Sequence, residues 1–243
     1  QIPYAYPDRS VFLDVFTVTE YSGKVRPIEG QKMDWVRVSA LGDVRFPKAN
    51  HGIVRALQLP GLIAVTPEAG ETREFLQHFE DTVRKPEVEL VHLRSHGLDG
   101  RDYLQLAGQC LERCDRHRAR LVINANASFL DQVPGAGLHL TSRRLCALQV
   151  RPVAEDSLVS ASCHTLEELL HASEIGLDYV FLGPVIEKVS DTPCKPLGWK
   201  NFARLARHST IPVYAIGGLD TKDMEVAAAH GGQGIAAIRA VWQ

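Results

Sequence analysis

From Gly61 onward the sequence alternates short β-branched runs with amphipathic segments, and this alternation limits the fold more than any other feature. The apolar run "LIAVT" precedes the helical "ETREFLQHFEDTVRK", and "VELVHLRSH" precedes "GRDYLQLAGQCLERCDRHR". Further runs are "RLVINAN", "GLHLTS", "LVSASCH", "YVFLGPV", "VYAIGG" and "GIAAIRAVW", each but the last followed by a helical segment. Eight strands separated by helices are typical of parallel βα units. The sequence therefore predicts an α/β fold, a closed (β/α)8 TIM barrel over residues 60–243.

The two ends of the chain depart from this pattern. The eighth run reaches almost to Gln243, so the last barrel helix is expected to be truncated, leaving an exposed seam or a place for a partner copy. A homo-oligomer is therefore left open. Residues 1–59 predict a small α+β unit with antiparallel strands in "SVFLDVFTVTEYSG" and "QKMDWVRVSAL" and a helix in "ANHGIVRAL". A free-standing unit of this size would be marginally stable.

The composition limits which binding partners and which cellular compartment are expected. The formal net charge of -2 gives no general attraction to a nucleic acid polymer or an anionic membrane. No run approaches the ~18 apolar residues of a membrane span. The 5 cysteines include no CxxC pair, which favours a reducing cytoplasm. A small phosphorylated ligand needs only a local anion site, so it remains the expected partner.

In a parallel barrel the active site lies at the carboxyl ends of the strands. The residues expected there are cationic, polar or glycine, and they are Thr66, Arg94, His96, Asn124, Asn126, Thr141, Ser142, His164, Gly183, Gly217, Gly218 and Arg239. Gly217 and Gly218 stand between the seventh strand and a helix start, where free backbone N–H groups can bind a phosphate. Arg239, after the eighth strand, can donate to a phosphate oxygen. The alternative is that the two glycines merely turn the chain.

Three further features have two interpretations each. His164, at the end of "SASCH", is either a general acid/base or a packed or surface residue, and Thr165 with Glu168 predicts a helix capping box after it. Asn126 either binds ligand or caps the next helix. The loop Ile186–Trp199 is either a lid that touches ligand through Ser190 or Thr192 or a surface loop.

These segments match a known family. From Gly61 to Gln243 the chain resembles the thiamin phosphate synthase and TenI barrels through "VHLRSH", "LVINAN", "GLHLTS", "SASCHTLEEL", "DYVFLGPV", "AIGGL" and "GGQGIAAIRA", in the same order and spacing. The resemblance implies a thiazole phosphate held by "AIGGL" and the loop after the last strand. The matching positions are Gly217, Gly218, Ile238 and Arg239.

The resemblance also distinguishes two branches. Synthases carry Q-x-R-x-K on the second strand and two aspartates for magnesium; here the pattern reads His92, Arg94, His96, and the aspartate positions are Ala125 and Arg144. This argues against magnesium-dependent transfer of a pyrimidine pyrophosphate. The TenI branch, a metal-free thiazole tautomerase, is closer, and it implies that His164 is catalytic and that the barrel needs no cofactor. The alternatives are a non-catalytic phosphate-ligand sensor and a thiamin phosphate synthase.

Residues 1–59 resemble the C-terminal part of a MutT-type Nudix hydrolase. The likeness rests on "GQKMDWVRVSALGDVRFPKANHGIVRAL", and it implies that Asn50 reads a purine base. The family's catalytic box G-x5-E-x7-R-E-x-x-E-E is absent from these 243 residues, so this fragment is not expected to hydrolyse nucleotides. Mg²⁺ is expected only if such a box lies upstream. An intact parent would then also carry an 8-oxo-dGTP diphosphatase domain.

Overall fold

The structure is a computed structural model that describes residues 2–6, 8–186 and 195–242. Eight parallel strands close into a barrel in the order β10-β3-β4-β5-β6-β7-β8-β9, which confirms the predicted fold. The barrel strands are β3 (Leu62–Val65), β4 (Leu90–Leu93), β5 (Arg120–Asn124), β6 (Gly137–Leu140), β7 (Val159–Cys163), β8 (Tyr179–Leu182), β9 (Val213–Ile216) and β10 (Gly234–Ala237).

Helices follow most of these strands and cover the barrel. They are α2 (Thr72–Val83), α3 (Gly100–His117), α4 (Ser142–Cys146), α5 (Leu166–Glu174), α6 (Gly198–Ala206) and α7 (Met224–Ala229). Residues Ala127–Gln132 form a 3-10 helix after β5. The amphipathic pattern of α3 buries Cys110 and Cys114 fully, as packing residues. None of the helices in the described ranges is long and apolar enough to cross a membrane.

The N-terminal region contains less regular structure than predicted. A short antiparallel hairpin pairs β1 (Ile2–Ala5) with β2 (Ser10–Leu13). The strand predicted in "QKMDWVRVSAL" is wrong, because residues 31–37 have no regular structure and Val38–Asp43 is a 3-10 helix. The first predicted strand is confined to β2, and Phe12 within it and Phe16 beyond it are 73% and 79% exposed. Alternating apolar residues had no sheet to pack against here.

The predicted N-terminal helix forms as α1 (His51–Gln58), and it packs on the barrel. Arg55 Nε lies 2.7 Å from Asp178 Oδ1, at the start of β8, and Arg120 donates to the carbonyl of Gln58 at 3.0 Å. A Cβ on Gly52 would meet the Thr210 carbonyl oxygen at 2.0 Å, so this position needs glycine. α1 therefore closes the end of the barrel opposite the carboxyl ends of the strands.

The last residues cover the place where the eighth strand meets the first. Trp242 donates from Nε1 to the Val65 carbonyl at 2.7 Å and stacks on Phe75 and Phe79 of α2. Lys85 donates to the Val241 carbonyl at 2.7 Å. These contacts pack the expected seam against α2. The expected lid residues Ser190 and Thr192 lie outside the described residues.

Candidate functional site at the carboxyl ends of the strands

The loops after β9 and β10 provide free donors on one side of the barrel mouth. Gly217 and Gly218 have φ values of 101° and 71°, in the left-handed region that favours glycine. Their N–H groups have no hydrogen-bond acceptor among the described residues, and neither do those of Arg239 and Ala240. Gly218 and Arg239 are exposed, and Ile238 is half-buried. Successive free N–H groups in such a turn form an anion-binding concavity.

The loop after β8 lies directly against this turn. A Cβ on Gly183 would meet the Ile216 carbonyl oxygen at 2.2 Å, so the β8 loop and the β9 turn approach this closely only because Gly183 has no side chain. The same carbonyl accepts from Val185 N at 2.8 Å, and the Gly217 carbonyl accepts from Ile186 N at 3.2 Å. These bonds engage carbonyl groups of the β9 turn and leave its N–H groups free.

His164 stands at the mouth after β7 and is held at a defined orientation. Its Nδ1 lies 2.6 Å from the Gly183 carbonyl oxygen, and its backbone N–H donates to Glu168 at 2.5 Å. Because a carbonyl can only accept, Nδ1 is the donor of this bond, and Nε2 is the ring nitrogen left to contact a ligand. The capping box of Thr165 and Glu168 is confirmed. His164 is exposed, so Nε2 can reach a ligand.

On the opposite side of the mouth, Arg94 and His96 follow β4. Arg94 Nε donates to His96 Nε2 at 3.1 Å, and a second guanidinium nitrogen lies 3.6 Å from Glu68. Glu68 also accepts from the His96 backbone N–H at 2.8 Å. Thr66, fully buried, exchanges hydrogen bonds with the backbone of Arg94 and thereby ties the ends of β3 and β4 together.

The loops after β5 and β6 lie between the β4 loop and the β7 loop around the barrel mouth. Arg144 donates from Nη1 to Asn124 Oδ1 at 3.1 Å. These two residues line a cavity of about 230 Å³ together with His96 and Tyr103. Asn126 occupies the helix N-cap position but makes no side-chain capping bond. Thr141 accepts from the Arg144 backbone N–H and starts α4.

Sequence reasoning missed the role of Tyr103. Its hydroxyl donates to the Leu93 carbonyl at 3.0 Å and accepts from Asn124 N at 2.9 Å, so it fixes the ends of β4 and β5. Burial raises the pKa of Tyr103, which keeps the hydroxyl protonated. The apolar face of α3 predicted burial of this residue, and no sequence signal indicated the hydrogen bonds.

Beneath the mouth lies a pair of buried histidines. His139 is 1% exposed, with Ser160 and Ser162 hydroxyls 2.8 and 2.9 Å from its two ring nitrogens. The His92 ring packs against it at a tilt, with ring centroids 4.2 Å apart, and both His92 nitrogens have no partner in the described part of the chain. Burial lowers the pKa of His92 to about 3, and burial also lowers the pKa of His139. Both rings are therefore neutral at pH 7.

The expected site residues thus form two groups. Arg94 contacts His96, and Asn124 contacts Arg144, whereas His164 contacts Gly183 next to the β9 turn. Glu168 links the two groups, because it accepts from the His164 backbone N–H and from the hydroxyl of Ser142, in the helix that carries Arg144. No cluster of three or more His, Cys, Asp or Glu side chains suited to a metal is found among the described residues.

A closed barrel of eight parallel strands covered by helices defines a (β/α)8 protein. Residues 62–241 match the family described as thiamine monophosphate synthase, TMP-TENI, and the chain belongs to this family.

Named relatives agree with this membership. The chain is 30% identical over 182 residues to a putative thiamine-phosphate synthase 2 of Aquifex aeolicus (strain VF5), covering 75% of this chain and 97% of that protein. It is 33% identical over 181 residues to a thiamine-phosphate synthase of Thermobifida fusca (strain YX), covering 72% and 81%. A solved thiamine phosphate pyrophosphorylase from Pyrococcus furiosus shares the fold, with a TM-score of 0.60, 20% identity and coverage of 74% and 86%.

The likeness of residues 1–59 to MutT-type hydrolases gains no support from these matches. The family match begins at residue 62. Asn50 is half-buried at the end of a short 3-10 helix, immediately before α1, and its side chain makes no capping bond there. Its assignment to a purine base therefore stays a prediction.

Proposed function

We propose that the barrel binds a small phosphorylated thiazole and acts in the formation of thiamin phosphate. The observation that carries the proposal is the β9 turn, where Gly217 and Gly218 adopt left-handed φ and their N–H groups lack acceptors among the described residues. The exposed Arg239 adds a charged donor on the neighbouring loop. A phosphate monoester supplies the several anionic oxygens that such donors require.

The names of the relatives favour coupling as the reaction, which was an alternative in the sequence analysis. In coupling, the thiazole nitrogen attacks the methylene carbon of an activated pyrimidine, and the bond from that carbon to the pyrophosphate oxygen breaks. The departing pyrophosphate takes the electron pair. Arg94 and His96 after β4, and Arg144 after β6, are donors suited to this group.

The residues do not fit the magnesium ion that the family resemblance implies. Ala125 is 3% exposed and offers no oxygen, and Arg144 brings a positive charge to the other expected aspartate position. Mg²⁺ is held by oxygen ligands, usually carboxylates. Any reaction at this mouth therefore depends on the chain's own donors and bases.

His164 favours a second candidate, metal-free tautomerisation of the thiazole. Nδ1 donates to the Gly183 carbonyl at 2.6 Å, so Nε2 is the ring nitrogen that would exchange a proton with the ligand. That nitrogen would remove a proton from one ring position and return it to another, while the phosphate on the Gly217 and Gly218 amides keeps the ring in place. Net charge and atoms are unchanged, as an isomerisation requires.

One set of assays tests the proposal. Thiazole phosphate is incubated with pyrimidine pyrophosphate, with Mg²⁺ or with EDTA, and thiamin phosphate is measured; the thiazole tautomers are followed separately by proton NMR. Wild type is compared with His164→Gln and with His208→Gln, an exposed histidine between α6 and β9. We expect tautomerisation to fall at least about a hundred-fold in His164→Gln, with binding retained and His208→Gln unaffected.

Each outcome assigns a function. Thiamin phosphate formation supports coupling, and loss of tautomerisation in His164→Gln alone supports the isomerase. Binding of thiazole phosphate without either product would indicate the ligand sensor. Absence of thiazole phosphate binding in wild type would refute the proposal.

A further inference from the structure

Glu168, in the first turn of α5, accepts three hydrogen bonds at the barrel mouth. Its Oε2 accepts from the backbone N–H of His164 at 2.5 Å and from that of Thr165 at 3.2 Å. Its Oε1 accepts from the hydroxyl of Ser142. A capping box needs only the bond to the N-cap residue, Thr165, so two of the three bonds go beyond helix capping.

The bond to Ser142 ties the loop after β6 to the loop after β7. Ser142 is the first residue of α4, and His164 directly follows β7. A second contact joins the same two helices away from the mouth, where Nε2 of His171 donates to the carbonyl of Leu148 at 3.0 Å. Of these two contacts, the one made by Glu168 reaches His164.

His164 is held at two points, its backbone and its ring. The strand before it ends at the fully buried Cys163, so packing fixes the chain below. Glu168 then holds the backbone N–H, and the Gly183 carbonyl holds Nδ1 of the ring at 2.6 Å. With both points fixed, the direction of Nε2 is set before a ligand arrives. A displacement of about 1 Å in a reacting group costs about a hundred-fold in rate, so the backbone contact bears directly on proton transfer.

We propose that Glu168 is a positioning residue, whose carboxylate, held by Ser142, fixes the backbone of His164 so that Nε2 of the ring faces the bound ligand. This role rests on the proposed function, in which His164 exchanges a proton with a phosphorylated thiazole. Both oxygens of Glu168 are engaged by donors of the protein, so it acts through His164 and not on the ligand. Because Ser142 begins the helix that carries Arg144, the same link joins the position of the α4 loop to that of the His164 ring.

Three variants separate the bonds of this carboxylate. Glu168→Ala removes all three, and Ser142→Ala removes only the link to α4. Glu168→Gln keeps the geometry, because the amide oxygen can accept both backbone N–H groups while the amide nitrogen donates to the Ser142 hydroxyl. His171→Ala is the matched control, since it removes the contact between α4 and α5 that lies away from the mouth. Circular dichroism establishes that each variant is folded.

Nitrogen-15 NMR of the histidine rings gives a readout that does not depend on turnover. At pH 8 a histidine is ordinarily neutral, and the shifts of its two ring nitrogens show which one carries the proton. The His164 signals are those missing from His164→Gln. In wild type, Glu168→Gln and His171→Ala, Nδ1 of His164 should carry the proton, because it donates to Gly183. In Glu168→Ala the ring is released from Gly183 and both tautomers should be present, with Ser142→Ala between the two cases.

Exchange of the thiazole tautomers, followed by proton NMR, gives the second readout. Glu168→Ala should lower kcat about ten- to a hundred-fold. The KM should change little, because the phosphate contacts on the β9 turn are untouched. Ser142→Ala should lower kcat about three- to ten-fold, as expected for one hydrogen bond. Glu168→Gln should restore most of the wild-type kcat, and His171→Ala should equal wild type.

Any of three results would overturn the role of Glu168. Glu168→Ala could keep the wild-type ring-nitrogen shifts of His164. His171→Ala could lower kcat as much as Glu168→Ala, which would make the effect one of general stability. Glu168→Gln could be as impaired as Glu168→Ala in both readouts, which would show that its charge matters and its geometry does not. If wild type shows no turnover, the proposed function fails, and the nitrogen-15 shifts alone decide the role of Glu168.

Discussion

The buried histidine below the mouth gives the protein a specific dependence of stability on pH. His92 is 3% exposed, contacts His139 and Phe181 at centroid distances of 4.2 and 5.3 Å, and has no hydrogen-bond partner among the described residues. Burial first, and then the positive charge of Arg94, lower its pKa from 6.5 to about 3. Protonation is therefore much less favourable in the folded protein than in the unfolded chain.

The size of the effect follows from proton linkage. Below pH 6.5 the unfolded chain binds a proton at His92 that the folded protein does not bind until about pH 3. Stability therefore falls as the pH falls through this window. A pH of 5 is about 1.5 units below the pKa of the histidine in the unfolded chain, which corresponds to a loss of about 2 kcal/mol of unfolding free energy. His139, also with a lowered pKa, adds a loss in the same direction.

Urea unfolding of wild type and His92→Gln at pH 7.5 and pH 5.0 measures the contribution of His92 to the pH dependence of stability. The loss of unfolding free energy between the two pH values should be about 2 kcal/mol smaller in the variant, since glutamine does not titrate. His78→Gln, on the exposed face of α2, is the control and should behave as wild type. If the unfolding free energy of His92→Gln falls as much between pH 7.5 and pH 5.0 as that of wild type, burial does not hold the His92 ring neutral.

Three further perturbations test other contacts. Asp178→Asn should cost about 3 kcal/mol of stability in thermal unfolding, because Asp178 is 2% exposed and bonds Arg151 at 2.7 Å, and a loss below about 1 kcal/mol would contradict this. Gly218→Ala should weaken thiazole phosphate binding, because a left-handed φ costs alanine about 1–2 kcal/mol, and unchanged affinity would show that the turn does not bind the phosphate. Trp242→Ala should destabilise by about 3 kcal/mol through lost stacking and the bond to Val65, and an unchanged melting temperature would refute that packing.

The barrel was predictable because its signals are local and repeated. Each barrel strand is a short, mostly buried apolar run, and each run but the last is followed by turn residues and a helical segment. The capping box at Thr165 and Glu168 illustrates the same point, since the spacing of two residues determines both hydrogen bonds. Strand order then follows from the parallel βα connection.

The N-terminal region was less predictable because strands need partners from elsewhere in the chain. Alternation around Phe12 and Phe16 predicts a half-buried strand, but among the described residues β2 pairs only with the four residues of β1. Two-stranded hairpins give little burial on their own. Apolar residues at every second position therefore indicate that a segment could form a strand, but they do not show whether partner strands are available.

Side-chain pairing in the site was also beyond sequence reasoning. The order of the strands places Asn124 and Arg144 on neighbouring loops, but the 3.1 Å bond between them depends on rotamers and on where Tyr103 holds the backbone. The packing of the His92 ring against the His139 ring likewise depends on the barrel's register. Position along a strand predicts which end of the barrel a residue occupies, and packing decides what it contacts.

α1 shows how a residue assigned to one unit can stabilise another. Arg55 reaches Asp178, which also binds Arg151 and accepts the Val159 N–H at 2.7 Å, so one buried carboxylate joins α1 to the starts of β7 and β8. The carboxyl ends of the same strands hold His164 and Gly183. Because a barrel strand is short and rigid, loosening α1 should alter the separation of these two groups as well as stability. The helix before the first strand thus supports the geometry of the mouth from the opposite end.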